Sequence, residues 1–166
     1  MLTALGAAVI AAVASLVGVT LGAFVEPLKL NAARRAKLRQ DRADRCGRFI
    51  EVAARARQHL VSLNVTHRQQ KQGEPVDLAG YEDGYYTARA EMRSLLGLLV
   101  MSGPDELVES AKDVRQKDMD LHHVRYEREE GTAFDRLSLP PGVRTAVVAL
   151  DRAIEEFALV ARKHTS

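Results

Sequence analysis

The sequence predicts an all-α protein: an N-terminal single transmembrane helix, a basic helical stalk, then an antiparallel helical bundle of about four helices. Three observations carry this. Residues 1–25 (MLTALGAAVIAAVASLVGVTLGAFV) contain no charged side chain. Beyond them, apolar residues recur at alternating three- and four-residue steps, the period of a helix with one buried face. No run alternates with period two for long enough to argue for a strand. The expected division is an anchor over 1–25, a juxtamembrane stalk over 26–48 and a bundle over 49–166.

As a helix, the opening run spans about 37 Å, enough to cross a hydrocarbon core of about 30 Å with some tilt. Its eleven Leu, Ile, Val and Phe residues favour insertion by on the order of 5 kcal/mol, offset in part by Gly, Ser and Thr. Two other readings fit less well. A cleaved signal peptide begins with a basic segment, which is missing, and Ala12-Val13-Ala14 lies too early for its cleavage site. A buried core helix rarely runs this far without a polar face. Ala7, Ala11, Ala14, Gly18 and Gly22 recur at steps of four, three, four and four. They form a small-residue stripe that allows close packing of two membrane helices.

Orientation follows from the flanks. Eight basic residues lie between Lys29 and Arg48 and none precedes the run, so the positive-inside bias places the N-terminus outside and the C-terminus in the cytoplasm. The expected location is the plasma (inner) membrane, crossed once. From Glu26 to Arg68 eleven Lys/Arg face four Asp/Glu, a net +7, whereas residues 69–166 carry thirteen against eighteen, a net −5. Lys29, Arg34, Arg35, Lys37, Arg39 and Arg42 are the expected contacts to anionic headgroups, each contributing about 1 kcal/mol near such a surface. A nucleic-acid partner is not expected, because the basic stretch lacks interleaved aromatics and any helix-turn-helix or zinc signature.

Glu26-Pro27 predicts a kink or brief break, since proline removes a backbone donor. Phe49, Ala53, Ala56, Leu60 and Leu63 then give the upper part of the first long helix an apolar stripe. Gln69 to Pro75 reads as a loop. Tyr81, Tyr85, Ala88, Met92, Leu95 and Leu99 fall on one face of a second helix and are expected in the core. Ser102-Gly103-Pro104 is a stop followed by a start, with acids in the next first turn. Leu107, Ala111, Val114 and Leu121 mark a third helix, the most polar and therefore the one expected to be least buried. Gly131 to Gly142 is the longest irregular stretch, with Phe134, Leu137 and Leu139 expected against the core. Pro140-Pro141 introduces a last helix whose inward residues are Val143, Val147, Leu150, Ile154, Phe157 and Val160.

No catalytic chemistry is legible. Phosphate loops, nucleophile elbows and zinc helices are missing from the sequence, so neither an enzyme nor a cofactor is expected. Cys46 lies among arginines that could lower its pKa, but its spacing from Phe49 and Ala53 assigns it to the core. Asp118 and His122 are one turn apart, yet lack the further ligands of a metal site, and His122-His123 reads as a solvated pair. Asn64-Val65-Thr66 matches a glycosylation acceptor, which is meaningless on the cytoplasmic side. The acidic Glu127, Glu129 and Glu130 read as a solvated helix end. The layout resembles that of short bacterial proteins with an N-terminal anchor, an Arg-rich junction and a helical cytoplasmic body.

The function expected is a membrane-anchored interaction module for tethering, scaffolding or accessory regulation. Its partners would be the lipid bilayer, itself or another membrane protein through the small-residue stripe, and a cytoplasmic protein through the bundle. The alternative is a holin-like membrane-perturbing protein acting by anchor clustering. It is weakened by an anchor without a polar stripe and by a large body.

Overall fold

The structure is a computed structural model that describes residues 2–70, 78–127 and 138–165, with side chains from residue 29 onward. Four helices follow in order: α1 (Leu2–Gln70), α2 (Ala79–Ser102), α3 (Asp105–Val124) and α4 (Pro141–Thr165). No strand occurs among the described residues. The chain divides into two compact units, Met1–Gln40 and Asp41–Ser166.

The second unit is a four-helix bundle, and its side-chain pairings set the direction of each helix. At one end, Arg42 near the start of the unit donates to the carbonyls of Ser102, at the end of α2, and His164, at the end of α4. Glu106, in the first turn of α3, accepts from Lys163 at that same end. At the other end, Asn64 on α1 meets the carbonyls of Arg125 and Glu127 just beyond α3, and Glu127 meets Gly142 at the start of α4. Each helix therefore runs antiparallel to the one before it.

The periodic stripes become the core. On α1, Cys46, Phe49, Val52, Ala53, Ala56, Leu60 and Leu63 are buried. Phe49 meets Phe157 of α4 with ring centroids 4.8 Å apart, a tilted pair worth about 0.5–1.5 kcal/mol beyond its area burial. On α4, Val143, Val147, Leu150, Ala153, Phe157 and Ala161 are buried, with Ile154 and Val160 packed at the margin. Arginines join the helices from outside: Arg48 and Arg55, two turns apart on α1, both bind Glu91 on α2 at 2.9 and 2.8 Å. Arg57 Nη2 donates to Asp151 Oδ2 on α4 at 2.7 Å, and its Nε lies 2.6 Å from Oδ1 as an ion pair.

Four expectations change. Helix α1 continues through Glu26 and Pro27 without a break. Pro27 removes only the one amide that would bond the carbonyl of Ala23, and strong helix formers follow it. The helix also includes Gln69 and Gln70, the start of the expected loop; residues 71–77 lie outside the described ones. Tyr81 is 39 % exposed rather than buried, because the first turn of α2 lies at the bundle's edge. And α3 is not the least buried helix. It buries six residues, as many as the longer α2 and α4, since segregation of its apolar residues onto one face, not its average polarity, decides burial.

The other boundaries follow their local chemistry. Gly103 ends α2 with its amide bonded to the Leu99 carbonyl, and Pro104 caps α3, with Asp105 and Glu106 in its first turn. Leu139 packs against the core. Phe134, Leu137, Glu129 and Glu130 lie outside the described residues.

Candidate functional site

Of the residues expected to meet lipid, Lys29, Arg34, Arg35, Lys37 and Arg39 are all exposed. At 100° per residue they are spread around the whole circumference of α1 rather than along one face. The apolar residues among them, Leu30 and Leu38, are 71 % and 60 % exposed. Arg42 differs: it belongs to the bundle unit, where its guanidinium reaches the carbonyls of His164 at 3.2 Å and Ser102 at 3.4 Å. The expected packing stripe of Ala7, Ala11, Ala14, Gly18 and Gly22 lies outside the residues whose side chains are described.

A second polar constellation, not foreseen as a unit, lies between α2 and α3. Asp118 is 0 % exposed. Its Oδ2 accepts from the Tyr85 hydroxyl at 3.2 Å and faces Arg89 Nε at 3.9 Å, an ion pair too long to be a hydrogen bond. Its Oδ1 has no hydrogen-bond partner. Burial pushes the Asp118 carboxyl above its ordinary range, against the opposing Tyr85 hydroxyl and the charges of Arg89 and Arg115. Burial, reinforced by Asp118, also pushes the Tyr85 hydroxyl up, so it stays a donor.

His122, one turn beyond Asp118, stacks on Tyr85 with centroids 5.0 Å apart and planes at 17°. It is therefore no solvated histidine. Burial first, then Arg125, Arg89 and His123, lowers its pKa to about 4. Arg125 Nη1 lies 3.4 Å from His122 Nδ1. With its pKa lowered that far, the His122 ring is neutral near pH 7. Arg125 also donates to the His122 carbonyl at 2.6 Å and lies over the Tyr126 ring at 4.4 Å. The Tyr126 hydroxyl donates to Glu82, which ties the end of α3 to the start of α2.

This arrangement fixes two helices. Asp118 could take a proton and Tyr85 could hold one. Among the described residues no group of three His, Cys, Asp or Glu is placed to hold a metal ion. Cys46 is buried, and that burial raises its thiol pKa despite Arg42, the opposite of what a reactive thiolate needs. Asn64 is 0 % exposed and Thr66 7 %, so the glycosylation triplet is part of the interior.

Comparison with family models, with curated proteins and with solved structures gives no match. Among the described residues no helix is long and apolar enough to cross a membrane; the uncharged run 1–25 falls outside those whose side chains are described.

The buried cluster had a signal in the sequence. Leu107, Ala111, Val114, Asp118 and Leu121 keep one stripe at steps of four, three, four and three, so Asp118 is a lone acid on an apolar face. That pattern marks a buried carboxylate in need of a donor, and Tyr85 supplies it.

Proposed function

We propose that this chain is a single-pass membrane protein whose helical bundle is an interaction module, serving as a tether, scaffold or accessory subunit at the cytoplasmic face. One observation carries the reading: 25 residues without a charge, followed by eight basic residues in twenty. Insertion and positive-inside orientation both follow from it. The spread of Lys29, Arg34, Arg35, Lys37 and Arg39 around α1 supports a helix standing in a headgroup collar; a helix lying on the surface would carry its bases on one side. In this reading the bundle's surface would supply specificity for the partner. The stripe Ala7, Ala11, Ala14, Gly18 and Gly22 would pair anchors with one another or with a second membrane protein.

Crosslinking the full chain in native membranes tests this, beside a chain lacking residues 1–25. The expected result is a discrete adduct, with itself or one partner, that the shortened chain loses or forms poorly. A full-length chain that stays monomeric at every crosslinker concentration contradicts the proposal.

A further inference from the structure

The buried positions of α4, from Val143 to Ala161, define one face. At 100° per residue, the line diametrically opposite that face is occupied by Val148 and Leu159. They are 61 % and 58 % exposed, where an amphipathic helix ordinarily carries polar side chains. Three turns separate them. Between them on the same stripe lie Arg152 and Glu155, both exposed, and Thr145 and Arg162 extend it at each end. The steps are three, four, three, four and three, the spacing of a coiled-coil seam.

The order of these residues selects the occupant and its direction. Reversed about the midpoint between Ala153 and Ile154, the stripe complements itself: Val148 falls opposite Leu159, and Arg152 opposite Glu155. A parallel pairing would instead set Arg152 on Arg152 and Glu155 on Glu155. We propose that the outer face of α4 pairs antiparallel with α4 of a second copy of this chain, about a two-fold axis through that midpoint. The contact is isologous and therefore closes as a dimer.

Asp151 is held by Arg57 and Lys163 is engaged with Glu106; Arg152, which meets Glu156 of its own helix at 2.9 Å in an exposed pair, exchanges that partner for Glu155 of the second copy on association. A single helix pair of this length lies below the roughly 1,200 Å² of a stable complex, so the pairing is reversible.

Register-specific disulfide formation tests it on the full chain in detergent micelles. Val148→Cys and Leu159→Cys chains are oxidised separately and mixed; wild type, whose only thiol Cys46 is 3 % exposed, is the control. The expected result is a covalent dimer in the mixture, with each variant alone remaining largely monomeric, since 148–148 and 159–159 are far apart in this register. Arg152→Glu should remove the crosslink, and Arg152→Glu with Glu155→Arg in both chains should restore it. All these sites are exposed, and an unchanged circular dichroism spectrum confirms folding. A mixture that stays monomeric, or a Val148→Cys chain that crosslinks to itself as strongly as the mixture, overturns the proposal. Residues 1–25 enter neither outcome, so failure here leaves the anchor reading standing, and failed membrane retention leaves this one.

Discussion

Replacing Tyr85 by Phe isolates the polar centre of the bundle. The substitution keeps the ring that stacks on His122 and removes only the hydroxyl that donates to Asp118 at 3.2 Å. Asp118, 0 % exposed, is then left with Arg89 at 3.9 Å and no hydrogen bond. A hydrogen bond to a charged group contributes about 1.5–3 kcal/mol, and a buried acceptor left unsatisfied falls in the same range. We therefore expect a loss of about 2 kcal/mol near neutral pH, or a fall in Tm on the order of 6–10 °C for a unit of this size. The penalty should depend on pH with a fixed sign. Asp118 has a folded-state pKa above its ordinary value, so acidification protonates it in the bundle first. The hydroxyl matters most to the ionised form, and the cost of Tyr85→Phe should shrink as pH falls through the raised Asp118 pKa. Urea unfolding of wild type and variant at several pH values measures this. A difference within about 0.5 kcal/mol at neutral pH, ordinary for a surface change, or a penalty that grows on acidification, refutes the reasoning.

Three further outcomes are expected. His122 is neutral when folded, with a pKa lowered to about 4. Its contribution is therefore intact above the ordinary imidazole pKa of about 6.5 and is lost as pH falls from there toward 4; His122→Gln should flatten that limb of the stability–pH curve. Asn64→Ala removes donors to the Arg125 and Glu127 carbonyls at 3.0 and 2.9 Å and should cost about 1–3 kcal/mol in urea unfolding, whereas Asn64→Asp, which sets a carboxylate against two carbonyls, should cost more. Gly142→Ala would put a methyl where the Glu127 carboxylate lies against the start of α4; thermal unfolding should show a loss of about 1 kcal/mol from that cap.

The stripes at Phe49–Leu63 and Val143–Val160 were legible because burial there is periodic and local. So was the stop at Gly103-Pro104, where backbone chemistry alone ends one helix and begins another. Tyr81 lay on the right stripe, but periodicity does not say how far along a helix its neighbours extend. Average polarity misjudged α3, since Lys112, Asp113 and Gln116 lower the mean without touching its apolar face. Asp118 was seen as a possible ligand but not as a core residue, because its donor, Tyr85, is 33 residues away in sequence. Arg42 was grouped with the bases before it, although its partners are the carbonyls of Ser102 and His164. Pairwise partners across the bundle are the information a single sequence withholds.

The most direct test concerns residues 1–25. Membranes from cells producing the full chain are washed with alkaline carbonate, beside a chain that begins at residue 26. The full chain should stay in the pellet until detergent is added, and the shortened chain should leave with the wash. Recovery of the intact full-length chain in the carbonate supernatant would contradict a helix held in lipid.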